Sequence, residues 1–362
     1  MKQGRTLTEL AMELDRQRKA KKDYLLDTRS LTMDAGENGA MLTMRNEQTG
    51  TNILLKVNEI AHDQIGTALK IPAPYYDRML NDYPELLAEN VNRWFQKEPK
   101  TRMVRTLDGT ARAFLSDRYH RIDNWDVAQT SLEVLTDLGN GLRIESCEVT
   151  DQKMYIKVVN PRLEAEVVPG DIVQSGLIIS NSEVGRGQLS VQPLVYRLVC
   201  TNGMVVNDAA TKRRHVGRRV ESDEDFTLYS DETMKLDDIA LMAKVRDTVR
   251  AIAEQSQFDK VVNLMRQANG MKMFTANVPA MIELTGKDFG YSKAEGESIL
   301  EHLIKGGDLS LYGLSNAVTR AAQDVDSYDR STEMESIGYS ILGMSADKWD
   351  ALNRMSVAGK AA

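Results

Sequence analysis

Residues 212–219 read KRRHVGRR and place five cations, Lys212, Arg213, Arg214, Arg218 and Arg219, within eight positions of a 362-residue chain whose formal net charge is -7. Such a cluster needs an anionic partner, either an acidic surface inside the protein or phosphates outside it. Guanidinium groups suit phosphate because their planar fork offers two donors to two oxygens. Gly217 inside the cluster, with Ala209 and Ala210 before it, describes a loop rather than a helix face. Basic loops of this kind can order on a nucleic-acid backbone. FLSDRYHRID (114–123) ends a predicted strand with Arg118, Tyr119, His120 and Arg121. A ring among cations can stack on a base while its neighbours neutralise phosphate, or it can simply close the core at a strand end. SNSEVGRGQL (180–189) holds Arg186 between two glycines, which either lets backbone approach a ligand closely or forms a β-turn.

Other chemistries find less support. There is no GxxxxGK[ST], CxxC, HExxH, dinucleotide fingerprint or Ser/His/Asp order, and the four histidines have no ligand spacing, so neither a metal nor a cofactor is expected. Cys147 and Cys200 lie in apolar, strand-like runs and read as reduced, buried thiols. No catalytic residue is assigned. A nucleic-acid-processing enzyme would have to draw on Asp117, His120 and Glu183 converging in a pocket. The N-terminus is helical and charged, without the apolar core of a signal peptide. No stretch approaches the length of about 20 apolar residues that spans a bilayer, so a reducing cytoplasm is the expected setting.

The elements that must hold these residues follow from periodicity. Residues 1–26 contain an N-terminal helix, with Leu7, Leu10, Ala11 and Leu14 on one stripe. Residues 27–220 form the α+β core. Turn-punctuated strands over 27–57 precede helices rich in proline breaks. A hairpin then turns at Asp108-Gly109, and an amphipathic helix runs from an Asn124 cap to a Gly139 stop. Apolar strands follow, ending in CTNGM, where Asn202-Gly203 reads as a turn. Together they predict an antiparallel curved sheet with helices. From Glu221 onward the chain holds 24 acidic and 15 basic residues, against 29 and 31 before it. That charge step marks 221–230 as an acidic linker. Residues 231–362 read as a helical C-terminal domain, with Met234, Ile239, Met242, Val245, Val249 and Ile252 along one stripe and a Ser292/Glu295 capping box.

Three stretches, AFLSDRYHRIDNWDV, SNSEVGRGQLSVQPLVYRLVCTNGM and LYGLSNAVTR, resemble the phage- and plasmid-borne family known as domain of unknown function 932. The resemblance covers roughly residues 50–325 and implies a mobile-element setting, in a bacterial host cytoplasm, alongside recombination and replication proteins. It carries over no catalytic residue. The expectation is a non-enzymatic, homo-oligomeric protein that binds, anneals or protects single-stranded DNA. Arg118, Tyr119, Arg121, Arg186, Lys212, Arg213, Arg214, Arg218 and Arg219 would be its contacts, and the acidic C-terminal region would be free to recruit a protein partner. A nucleotide- or nucleic-acid-processing enzyme, and a virion or anti-defence interaction protein, are the rival classes.

Overall fold

The computed structural model describes residues 1–36, 39–45, 50–137, 141–207, 211–213, 231–252, 255–274 and 277–357. The first helix, α1 (Leu7–Ala20), opens with a capping box in which the Thr6 hydroxyl accepts from the Glu9 N–H and the Glu9 carboxylate accepts from the Thr6 N–H. The periodicity predicts a helix over 6–22 within the N-terminal segment 1–26 and no strand before residue 27. Instead the chain turns extended at Lys21, and Lys22–Asp27 becomes a strand, β1. Its pairing partner, more than seventy residues downstream, is what overrides local helix propensity.

Strands β2 (Leu31–Gly36), β3 (Gly39–Arg45) and β4 (Asn52–Val57), helices α2 (Glu59–Ala68), α3 (Ala73–Asp82) and α4 (Pro84–Lys97), and strands β5 (Thr101–Leu107) and β6 (Thr110–Ser116) complete the first layer. The six strands run in the order β1-β5-β6-β4-β3-β2, and β4–β6 is a parallel pair in an otherwise antiparallel sheet. Leu42, Tyr76, Phe95 and Phe114 belong to the core between this sheet and its helices. The expected hairpin joins β5 to β6, with Asp108 at φ 51 and Gly109 at φ 75, the positive pair that a two-residue turn of this kind requires. The ladder shifts register between Arg105, opposite Ala113, and Thr106, opposite Ala111. Arg112 is thereby the extra residue of a β-bulge, a device that re-aims a side chain.

A second sheet follows α5 (Asn124–Asp137). It comprises β7 (Arg143–Val149), β8 (Met154–Glu166), β9 (Ile172–Asn181), β10 (Leu189–Arg197), β11 (Asn202–Val205) and β12 (Thr211–Arg213). The order is β11-β10-β9-β8-β7, all antiparallel, with β12 also on β10. The fold is therefore α+β, as the patterning predicts, but with two sheets in place of one. Asn202 and Gly203 are not the turn. They pair with Arg197 and Tyr196 in β11, and the reversal is made by the residues before them, with Thr201 at φ 50. Gly203 is needed for another reason, since a Cβ there would lie 2.6 Å from the Met1 side chain.

Helices α6 (Asp231–Ile252), α7 (Gln255–Gly270), α8 (Val278–Phe289), α9 (Lys293–Gly306), α10 (Leu311–Ala321), α11 (Tyr328–Leu342) and α12 (Ala346–Val357) make up the C-terminal region. Strand alternation divides them between the two faces of the second sheet. Met154, Ile156 and Val158 point to a cluster shared with α1, α5 and α6. Helices α7 to α12 share another cluster with the sheet residues Val173, Val195 and Met204. The expected linker at 221–230 lies outside the described residues. Along α6 the buried stripe is Leu241, Val245 and Val249, whereas Ile239 is 65% exposed. The three- and four-residue spacing holds, but its phase is set by α5 and the sheet.

Lys157, on the face of β8 toward α11, donates to Glu335 at 2.7 Å, and both side chains are fully buried. The Lys157 ammonium also lies 4.7 Å from the Tyr328 ring centre, and the Tyr328 hydroxyl is 2.7 Å from that of Ser146. Removing one partner leaves the other charge buried, which typically costs about 3–5 kcal/mol, whereas replacing both with apolar residues can be nearly neutral. Glu335→Ala should accordingly lower the denaturation midpoint strongly, and Lys157→Met with Glu335→Leu should recover most of the loss. His62, buried in α2 against the Tyr76 hydroxyl at 2.9 Å, has its pKa lowered by burial from 6.5 to about 4, against the opposing pull of Asp63 and Asp77. The unfolded chain binds that proton first. Stability contributed by neutral His62 is therefore full above pH 6.5 and fades towards about pH 4, by about 3 kcal/mol in all. A His62→Gln variant should show a flatter stability profile across that window.

Candidate functional site

The two sheets meet at a closed set of charges. Arg105, with no exposed side-chain surface, donates to both oxygens of Asp23 at 2.9 and 3.1 Å, to Asp123 at 2.9 Å and to the backbone carbonyl of Glu183 at 2.8 Å. The bulge turns Arg112 onto one carboxylate oxygen of Glu183. The other oxygen accepts from Lys21 at 3.3 Å and from the Asn124 backbone N–H at 2.7 Å. Lys21 also reaches Asp123 at 2.8 Å. Three cations thus face three carboxylates, and the first turn of α5 gains an anion at its positive end. This differs from the expected cap. The Asn124 side chain does not cap its own helix but accepts from the Asn181 amide at 2.9 Å. Burial raises the proton affinity of Asp123, yet Arg105 and Lys21 more than offset it and hold this carboxyl below its ordinary range. Asp126, further out on α5, is pushed up by burial and by the Asp123 charge.

Asp23, Asp123 and Glu183 each accept from a cation, and Glu183 from a backbone amide as well. Among the described residues no group of three His, Cys, Asp or Glu could hold a metal ion. Glu183 is saturated in the seam while Asp117 sits on an exposed turn, so the structure does not bring these two carboxylates together in one pocket. The seam acts instead as a mount for two neighbouring loops.

On that mount the Tyr119 hydroxyl donates to the Ser182 carbonyl at 3.0 Å. Its ring edge lies within van der Waals reach of where a Cβ on Gly185 would be. Burial raises the phenol pKa above its ordinary value, so Tyr119 remains a neutral donor. The rings and carbonyls bring the 116–121 turn against the 182–188 loop, and with it Arg118 and Arg121 towards Arg186. Arg118 and Arg121 are exposed. Arg121 lies 3.5 Å from Asp23, and Arg186 pairs with Asp63 on α2. Gln64 of α2 ties the same loop down, donating to the Val184 carbonyl at 2.8 Å. The Lys153 side chain crosses over Gly187, adding a cation that sequence reasoning missed because nothing local marks it. The register of β12 sets the backbone of Arg213 opposite Leu189 and that of Lys212 opposite Ser190, so the chain runs at Arg213 towards the same loop. Arg214, Arg218 and Arg219 lie outside the described residues.

At the opposite end of the sheet, Arg197 grips Asp171 at 2.6 and 2.8 Å and Tyr312 of α10 donates to the same carboxylate at 2.8 Å. Asn202 donates to Thr319 of α10. The motif residues YRLVCTNGM and LYGLSNAVTR are thus two halves of one sheet–helix clamp. Residues 112–278 match the family model described as Domain of unknown function (DUF932). The chain carries a DUF932 domain. The match is narrower than the 50–325 span that the resemblance suggests, and the α10 half of the clamp falls beyond it. No curated protein and no solved structure matches the chain. Within the DUF932 domain, both the saturated Glu183 and the Arg186 loop are included, while β1 and its Asp23 come from outside it.

The two thiols separate. Cys147 is buried, and burial pushes its pKa up to about 11. Cys200, expected in the core, is only half-buried in the turn before β11, beside the 59% exposed Val199, with an Arg197 N–H 3.2 Å from its sulfur. Brief treatment of native protein with a thiol reagent at neutral pH should label Cys200 and spare Cys147. Equal labelling of both would contradict these placements.

Proposed function

We propose that this DUF932-domain protein is a non-enzymatic nucleic-acid-binding protein of phage or plasmid type, acting in the bacterial cytoplasm as a homo-oligomer that binds and anneals or protects single-stranded DNA. The observation that carries the reading is the gathering of cations from three separate segments, Arg118 and Arg121, Lys153, and Arg186, at one end of the second sheet, the end towards which the backbone of β12 runs. The carboxylates beneath them are neutralised within the seam. The exposed pair of Arg186 with Asp63 does not compete seriously, because a surface ion pair contributes about 0–1 kcal/mol and a phosphate can replace the carboxylate. Annealing asks for neutralised phosphates and accessible bases and needs no bond chemistry. The excess of acidic residues from Glu221 onward supports a protein partner for the C-terminal region.

The test is a salt series of binding to single- and double-stranded DNA. Replacing Arg118, Arg121 and Arg186 with alanine, and separately Arg213, Arg214, Arg218 and Arg219, should weaken binding equally for all sequences. Each lost phosphate contact on a single strand should flatten the dependence of log affinity on log salt by about 0.7. Thermal stability should barely change. An unchanged slope in both variants would remove the reading.

A further inference from the structure

The rim where Arg118, Arg121, Lys153 and Arg186 gather also carries Tyr119, and the fold turns that ring inwards. In the 116–121 turn the Tyr119 N–H donates to the Ser116 carbonyl at 3.0 Å. The side chain then runs back towards the seam between the sheets, where its hydroxyl donates to the Ser182 carbonyl at 3.0 Å. Arg105, Glu183 and Arg112, the charges of the seam, are its electrostatic neighbours. One edge of the ring packs towards Gly185. The neighbouring His120 is half-buried as well. A base stacks on an aromatic residue through an open ring face, whereas this ring serves as a strut between the turn and the 182–188 loop.

The cations around it stay in solvent. Arg118 is exposed, Arg121 keeps 58% of its side-chain surface and Arg186 keeps 35%. Charge is presented where the ring is withdrawn. The base beneath is fastened on both sides, because the Ser182 hydroxyl accepts from the Arg186 N–H at 3.0 Å and donates to the Gln152 carbonyl at 2.7 Å. That bond ties the turn leading to Lys153 to the Arg186 loop. Guanidinium forks on a fixed base match phosphate oxygens, and contacts to phosphate position a nucleic acid without reading its bases.

We propose that this rim takes the sugar–phosphate backbone of a single DNA strand and stacks none of its bases, which face away and stay free to pair. The inference rests on the functional reading above and specifies the chemistry of its ligand. Tyr119, expected from the sequence as a stacking contact, then holds the loop and does not touch the strand. The distinction separates annealing from protection. A base stacked on protein has to be pulled off before it can meet its complement, whereas a base left in solvent pairs at once. It also sets a measurable difference, because each stacked base contributes roughly 5- to 150-fold in affinity, and a site that holds only phosphates loses none of this when the bases are removed.

Two fluorescein-labelled strands decide it. One is an oligothymidylate of about 20 nucleotides, longer than a site of roughly 4–16. The other has the same number of phosphates but carries an abasic tetrahydrofuran unit at every position. Across a salt series the full-length protein should bind the abasic strand no more than about fivefold more weakly than the thymidylate, with the same salt slope. Arg186→Ala should weaken both strands by the same factor and flatten both slopes by about 0.7; its melting temperature checks that it is folded. An abasic strand that binds more than about fivefold more weakly overturns the inference and leaves the functional reading standing. So does an Arg186→Ala variant that weakens the thymidylate alone. Binding of neither strand removes the functional reading itself, and this inference with it.

Discussion

Glu183 stands where the two sheets must be joined, and it does so with all its acceptors occupied. Its carboxylate takes Arg112, Lys21 and the first N–H of α5, while its carbonyl takes Arg105. A carboxylate buried to this degree is tolerated only if it is paired and hydrogen-bonded, so the pairs constrain each other. Arg112 reaches Glu183 because the ladder of β5 and β6 bulges there, and Arg105 is held by Asp23 from an edge strand that exists only through its pairing with β5. Loss of any member would strand the others in the low-dielectric seam.

This constraint settles what the surrounding loops can do. A loop whose acidic side chains are turned inward and neutralised shows its cations outward. Arg186 sits between glycines in a loop pinned by Gln64, Tyr119 and the Ser182 hydroxyl. It is presented from a stiff base, which limits the entropy lost on engaging a ligand.

The second sheet works as a middle layer. Its opposite end is fixed to α10 by the Arg197–Asp171–Tyr312 cluster and the Asn202–Thr319 bond, and its inner face carries the buried Lys157–Glu335 pair. The stretches that carry the family resemblance are therefore largely positioning elements: one set closes the seam, the other closes the clamp.

What the sequence alone determined is what local physics encodes. The Thr6 and Ser292 capping boxes, the Asp108-Gly109 turn, the helical spacing of Leu10 and Leu14, and the alternation through KMYIKVVN all depend on residues a few positions apart, and all stand in the structure. The α+β class follows from them. The tertiary structure decided whatever depends on partners distant in the chain. Lys22–Asp27 became a strand because β5 offered a ladder, Asn202-Gly203 joined a strand because α10 and Met1 came to meet it, and Ile239 was left outside because α5 set the phase of α6. Glu183 carries no local mark of its role. Lys21 and Arg112 lie 162 and 71 residues away, and only the register of two sheets and a bulge brings those charges within hydrogen-bonding distance.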